Sequence, residues 1–220
     1  AVSARNAGEL SSLARENAGR IHAIPVDVTD PDATAAAVEE VFAAIGLPDL
    51  VVQAAGYWAP FDLEDLSVEP FAASMRVNYL GSVNVIAAVL PPMRRAGAGT
   101  IALIASVSGY RGLPKAASYA PTKAALISLA ECLHTELDGS GVSIRIVNPG
   151  FVATPMTARN DFPMPFLMQP EEAARRIADG LARGGFETAF PTRFVAILKL
   201  LRILPYALYF WIIRKAVSRR

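Results

Sequence analysis

Tyr119 and Lys123 stand four residues apart in Tyr-Ala-Pro-Thr-Lys. On a helix, that spacing puts both side chains on one face. A phenol with a pKa of about 10 exchanges protons poorly at neutral pH. A neighbouring ammonium favours the tyrosinate and lowers that pKa, so the pair predicts a proton donor or acceptor. Pro121 fits a first helical turn, where its missing N–H has no partner in any case. Alone the signal is weak. With six Tyr and four Lys in 220 residues, about 0.1 such pairs arise by chance, and an exposed Tyr beside a solvated Lys is the plain alternative. Ser106 strengthens it. This serine follows the apolar run Gly-Thr-Ile-Ala-Leu-Ile-Ala and precedes Tyr119 by 13 residues. A hydroxyl there can hydrogen-bond the substrate oxygen that Tyr119 protonates, although turn and cap serines are common. Asn78, in Val77-Asn-Tyr-Leu-Gly81, falls inside a helical pattern where Asn is mildly unfavourable. It is either an ordinary exposed residue or a buried polar group with a task.

These side chains need elements that aim them at one point. Short apolar runs alternate with helical periodicity along the chain. Strands are expected at 1–4 (a remnant), 20–26, 49–53, 99–105 and 142–147, and helices at about 7–17, 31–45, 70–95, 118–137 and 170–183. Asp30-Pro31 is a start signal, with Asp as N-cap and Pro at the first helical position. Pro170-Glu171-Glu172 is another, because carboxylates favour the first turn. Leu126, Leu129, Leu133 and Leu137 form one buried stripe. Strands alternating with helices imply right-handed βαβ units and a parallel sheet covered on both faces. The expected fold class is therefore α/β: a doubly wound, Rossmann-like parallel sheet. Such folds bind ligands beyond the carboxyl ends of their strands, here just after Val26, Gln53, Ala105 and Val147.

In this order and at these elements, the four residues resemble the catalytic tetrad of the short-chain dehydrogenase/reductase family, and the likeness is collinear from Ala1 to about Arg183. The resemblance implies catalytic roles for Asn78, Ser106, Tyr119 and Lys123, with Tyr119 and Lys123 also touching the cofactor. Asp27-Val28 resembles the pair that contacts the adenine ring. Gln53-Ala-Ala-Gly56 stands where the family usually has Asn-Asn-Ala-Gly, so Ala55 and Gly56 match while Gln53 and Ala54 depart. The segment from Asn148 through Pro149, Gly150, Phe151, Val152 and Ala153 to Thr154 resembles the one that holds the nicotinamide carboxamide, chiefly through the Val152 backbone and the Thr154 hydroxyl. At the end of the first strand, Ala4 replaces the acid that would bind the ribose 2′-OH of NAD, and Arg5 follows. Arginine can pair with a 2′-phosphate, so NADP is the expected cofactor, with NAD as the alternative. The family's Gly-rich phosphate loop does not occur in this chain. The opening Ala-Val-Ser-Ala-Arg has no initiator Met and reads as a strand end. Both features predict an N-terminus lacking about 30 residues, the portion of a βαβ unit before its second strand.

Composition narrows the setting. Hydrophobic residues make up 53% of the chain and charged residues 19%, with a mean hydropathy of +0.34, which excludes disordered and fibrous classes. The one cysteine, Cys132, rules out an internal disulfide and has no Cys/His cluster for a metal. A reduced, cytoplasmic setting is the default, and His22, His134 and Cys132 read as structural. The net charge of +1 predicts no nucleic-acid partner, but it hides an asymmetry. Seven basic residues and no acid lie in 191–220, which leaves 14 basic against 20 acidic side chains elsewhere, a net −6.

Two segments fall outside the βα pattern. Residues 154–169 hold three of the five methionines together with Phe162, Phe166 and Leu167. A loop this long is usually functional, and Met-rich surfaces adapt their shape. It reads either as a lid over an apolar substrate or as a surface loop packing its own residues. Residues 194–213 are apolar at 17 of 20 positions. A continuous helix there would span about 30 Å, enough for a bilayer core, but Lys199, Arg202 and Pro205 interrupt it and midspan charges are costly. The segment is expected either in a membrane interface, with Tyr206, Tyr209 and Trp211 at headgroup level and the basic residues on anionic lipid, or packed over the substrate pocket or a partner subunit. The expected organisation is a reductase body over 1–190 and an apolar, basic helical extension over 191–220, self-associating into a homo-oligomer. The expected activity is hydride transfer between a nicotinamide and a ketone or secondary alcohol of apolar or lipid-like character. The alternative is a membrane-surface binding or scaffold protein that keeps the fold without turnover.

Overall fold

Asn6 and Asp30 start the first two helices. The Asn6 carboxamide accepts from Gly8 N at 3.0 Å and Glu9 N at 3.2 Å, opening α1 (Ala7–Glu16). The Asp30 carboxylate accepts from Ala33 N at 2.9 Å, and Pro31 occupies the first turn of α2 (Pro31–Ile45). The computed structural model describes residues 1–217 except Ala18, Asp62, Asp65 and Asp161. The elements that follow are β1 (Leu50–Gln53), α3 (Glu69–Met75), a π-helical turn (Arg76–Leu80), α4 (Gly81–Ala96), β2 (Gly99–Ile104), α5 (Ala120–Glu136), β3 (Val142–Pro149), α6 (Pro170–Arg183), β4 (Glu187–Phe190), α7 (Thr192–Ile203) and α8 (Tyr206–Val217). Single 3-10 turns lie at Val107–Gly109 and Thr157–Arg159.

The four strands form one parallel sheet in the order β1-β2-β3-β4, the doubly wound α/β arrangement that the alternating pattern predicts. Register aligns Gln53 with Leu103, Ile104 with Val147, and Pro149 with Phe190, so every strand ends at the same edge. Ile101, Leu103, Ile144 and Ile146 point to one face, where Ile86, Val89 and Met93 of α4, Leu126 and Ile127 of α5, and Val195 and Leu198 of α7 cover them. On the other face Val147 packs with Met168, with Ala173 of α6 and with Phe190.

Three expectations change in detail. Segments 1–4 and 20–26 are extended and parallel but form only one bridge, Val2 to Ala23. Val2 N donates to His22 O at 2.8 Å and Val26 N to Ala4 O at 3.1 Å. The chain turns into α1 at Asn6, which leaves too few paired residues for a regular strand. The helix expected over 70–95 is interrupted by the π turn at Arg76–Leu80, a local widening common at functional sites. The apolar run 194–213 is two helices rather than one. Pro205 has no N–H to donate, and Leu204 before it is extended, with ψ of 145°. Among the described residues, no helix is long and apolar enough to cross a membrane. Strand β4 escaped the sequence reading because its four residues lie between Gly185 and Pro191 with no alternation to mark them.

Candidate active site

The loop after β2 carries Ser106 at the common strand edge. Its hydroxyl caps the 3-10 turn, accepting from Ser108 N at 3.2 Å and from the Ser108 hydroxyl at 3.0 Å, and reaches Pro149 O at a long 3.5 Å. Ser106 thus joins the ends of β2 and β3 as well as capping a turn. Gly109 lets this loop lie against α5. A Cβ there would sit 2.8 Å from the Lys123 carbonyl carbon and 2.9 Å from Ala124 N, both backbone atoms that cannot give way.

Tyr119 is the residue before α5, and Pro121 and Thr122 follow in its first turn; the Thr122 hydroxyl donates to Tyr119 O at 2.7 Å. Lys123 is 3% exposed. Its ammonium donates to Ile104 O at 2.8 Å and lies 5.4 Å from the Tyr119 ring centroid. Burial of that charge lowers the Lys123 pKa to about 8. The spacing therefore places the lysine beside the tyrosine as expected, but the electrostatic result differs. Burial raises the Tyr119 pKa, with a hydrogen bond to Ser106 pulling the other way. Burial is the larger effect, and Lys123 is not among the groups that shift this phenol.

Asn78 sits in the π turn and is 0% exposed, so the buried-group alternative holds. Its oxygen accepts from Tyr57 N at 2.7 Å. Its amide donates to Tyr57 O at 2.9 Å and to the Thr122 hydroxyl at 2.9 Å. Both amide hydrogens are thereby committed, and Asn78 ties the loop after β1 to the first turn of α5.

The positions matched to cofactor contacts follow segment 20–26 and β1 and run on from the last residue of β3. Asp27 accepts from Thr29 N at 2.9 Å and the Thr29 hydroxyl at 2.8 Å, which, with the charge of Arg5, holds its carboxyl below the usual range. Val28 O accepts from Asn84 of α4 at 2.9 Å, and Gly81 makes this approach possible, since a Cβ on it would lie 2.7 Å from Val28 Cγ2. After β1, the buried Gln53 folds back so that its oxygen accepts from Ala55 N at 3.4 Å, while its amide nitrogen has no partner. Gly56 faces both the 154–169 loop and Asn78: a Cβ there would lie 3.8 Å from Met156 Cε and 3.9 Å from Asn78 Oδ1. Gly150 N donates to Phe190 O at 2.7 Å, fixing the end of β3. Val152 O accepts from the Thr157 hydroxyl at 2.6 Å, and Thr154 N donates to the same hydroxyl at 2.9 Å. The base of the 154–169 loop is closed by Ala153 N to Met168 O at 2.9 Å and Met168 N to Phe151 O at 3.0 Å. Phe151 packs against Phe162 and Phe194, and Phe166 also meets Phe194, so the loop touches α7.

One cluster was not foreseen. Glu187, first in β4, accepts from the Tyr110 hydroxyl at 2.5 Å and from Asn148 Nδ2 at 2.7 Å, and pairs with Lys199 of α7. Burial works to raise its pKa, but these partners outweigh it and hold the carboxyl low. Glu187 is the last acid before the acid-free tail, and that was the available signal. Next to Tyr110, Arg111 donates to Leu201 O at 2.6 Å and Leu204 O at 2.8 Å. Its guanidinium also lies 3.9 Å from the Tyr209 ring centroid. His134 stacks on Phe186 at 4.8 Å, and Cys132 is exposed.

Comparisons with known proteins agree with this fold. A family model described as short chain dehydrogenase matches residues 1–162. An uncharacterized oxidoreductase of Myxococcus xanthus is 34% identical over 189 residues, covering 86% of this chain and 75% of that protein. A short-chain dehydrogenase from Streptomyces avermitilis has the same fold, with a TM-score of 0.78 at 23% identity over 99% of this chain and 85% of the other. A gluconate 5-dehydrogenase from Burkholderia cenocepacia, solved in complex with NADP and tartrate, is 28% identical over 73% of this chain and 65% of its own, with a TM-score of 0.66.

Proposed function

Because the chain belongs to the short-chain dehydrogenase/reductase family of oxidoreductases, we propose that it is an NADP-dependent carbonyl reductase or alcohol dehydrogenase acting on an apolar ketone or secondary alcohol. The observation that carries this is the meeting of Ser106, Tyr119 and Lys123 at one sheet edge, with a buried ammonium whose one hydrogen-bond partner among the described residues is Ile104 O. An ammonium has three donors, so Lys123 keeps capacity for the hydroxyls of a ribose, and the site fits a nicotinamide nucleotide on that ground. When bound, such a cofactor supplies or accepts the hydride.

The chain's own residues do the rest. Ser106 donates to the substrate oxygen and orients it. Tyr119, whose raised pKa keeps the phenol protonated across the neutral range, delivers its proton to that oxygen in reduction and is reprotonated through a relay water; in oxidation the phenol first gives its proton to that water and the phenolate then takes the proton of the alcohol. Lys123 holds the ribose and offsets the charge that develops on the phenolate. Asn78 keeps the Tyr57 loop and α5 in register and supports the water that relays the proton. Asp27 and Val28 flank the adenine, Ala55 and Gly56 allow close backbone approach, and Pro149, Gly150, Val152 and Thr154 hold the carboxamide.

Arg5, exposed and following Ala4 where an acid would select NAD, supports NADP; the related gluconate 5-dehydrogenase was solved with NADP. The apolar loop 154–169 supports an apolar substrate, through Phe162, which packs on Phe151, and Phe166, which packs on Phe194. In the same reading residues 1–190 form the reductase body, and segment 194–220 makes a peripheral membrane contact that brings the site to lipid-like substrates. The test is oxidation of NADPH against NADH with a panel of aliphatic and steroid ketones. NADPH is expected to be preferred, and Tyr119→Phe to lose activity by about 10²–10⁴-fold. Unchanged turnover in Tyr119→Phe would overturn the mechanism.

A further inference from the structure

We propose that the outer face of α7 and α8 is a docking surface for an anionic lipid bilayer. The inference rests on the membrane contact proposed above and assigns its face and its lipid chemistry.

The inner side of α7 is spent on the core through Val195 and Leu198, which are 8% and 7% exposed. Its outer side carries Ile197, Leu200 and Ile203, exposed at 51%, 60% and 76%. Helix α8 behaves in the same way. Tyr209 is buried and its hydroxyl donates to Gly112 O, while Phe210 and Trp211 are half exposed. A solitary exposed leucine needs no explanation, but these five large apolar side chains exposed on two successive helices mark a contact surface. Arg193, Arg202 and Lys215 are exposed on the same helices, and Lys215 lies 4.1 Å from the Trp211 ring centroid. No acid occurs between Pro191 and Arg220.

Charge selects the occupant. Two copies meeting through this face would set basic residues against basic residues. An anionic bilayer supplies both an apolar phase for Leu200, Ile203 and Trp211 and negative headgroups for the cations. The break at Pro205 suits a surface-lying pair of helices and not a span. The face is also fixed to the active-site loop. Arg111 binds the C-terminal carbonyls of α7 and lies over the Tyr206 and Tyr209 rings at 4.9 Å and 3.9 Å. Lys199 of α7 pairs with Glu187, which holds Tyr110.

The test is flotation of the full chain with vesicles of phosphatidylcholine alone and of phosphatidylcholine mixed with phosphatidylglycerol, alongside light scattering and an NADPH oxidation assay. Binding is expected to the anionic vesicles only, weakening as salt rises. Leu200→Glu and Ile203→Glu should each abolish it with no change in thermal melting. Arg202→Gln and Lys215→Gln should each weaken it by about fivefold, which gives a readout with no change in the apolar surface. If the chain floats with no vesicle, the membrane contact itself fails. If it floats equally on neutral vesicles, or if Leu200→Glu and Ile203→Glu still bind, the contact stands and this face or its charge selectivity is overturned. If Leu200→Glu instead converts an oligomer to a monomer and flotation is absent, the face belongs to a second copy. Loss of NADPH oxidation alone would count against the enzymatic reading and leave the docking surface untouched.

Discussion

Lys123 donates its ammonium to the Ile104 carbonyl at 2.8 Å, although it stands only 5.4 Å from the Tyr119 ring centroid. The bond fastens α5 to the last residue of β2 and leaves a charge in the core. Burial lowers the lysine pKa to about 8, from 10.5. A lowered lysine pKa means that the unfolded chain binds the proton more tightly than the folded one. Between about pH 8 and 10.5, stability should therefore rise with pH, and the cost of the buried charge is fully present below pH 8. The total is about 3 kcal/mol. Lys123→Met removes the titrating group at similar volume, so its melting temperature relative to wild type should be highest near pH 7 and should fall toward pH 10. A difference between the two proteins that is flat with pH would contradict the buried charge.

Gly109→Ala should be costly although it adds a single methyl group. The new Cβ would meet the backbone of Lys123 and Ala124 at 2.8 and 2.9 Å. The Ser106 loop must then move away from α5. The expected loss is about 1–3 kcal/mol in denaturant unfolding, with a fall in kcat larger than the change in KM for NADPH, because the loop carries Ser106. Gly112→Ala, with nothing within 4 Å of its Cβ, is the control and should unfold like wild type.

Asn78→Ala should destabilise the protein by about 2–4 kcal/mol. The substitution strands the half-buried Tyr57 N–H and removes two further hydrogen bonds, to Tyr57 O and to Thr122. Thermal melting checks this. An unchanged melting temperature with lost activity would mean that the residue serves only a solvent relay.

Glu187→Gln tests the cluster that joins Tyr110, Asn148 and Lys199. The Glu187 pKa is held below the ordinary 4.5, so the carboxylate contributes stability above that value, and this is lost as the pH falls beneath it. Wild type should lose more stability than Glu187→Gln between about pH 5 and 3 when both are followed by circular dichroism. Glu187→Ala, which leaves Tyr110 and Asn148 without their acceptor, should be the least stable of the three at pH 7.

Much of the site was legible in one dimension because its determinants are local. A lysine four residues from a tyrosine must share its helix face, and a serine after an apolar β run must stand at a strand end. The capped start of α2 and the parallel order of β1, β2 and β3 follow from the same short-range signals. Glu187 had no such signal, since its partners lie 77, 39 and 12 residues away.

By itself, then, the sequence determined the α/β class and placed Ser106 after a strand and Tyr119 and Lys123 on one helix face, because each depends on periodicity or on contacts within one turn, whereas Asn78 was singled out by its resemblance to the family's tetrad. Tertiary structure decided what their environments do. It set the burial that raises Tyr119 and lowers Lys123, opened the π turn that gives Asn78 to Tyr57 and Thr122, and folded the tail at Pro205 so that Arg111 and Glu187 hold it beside the loop after β2. These outcomes depend on desolvation and on partners distant in the chain, which no local pattern encodes.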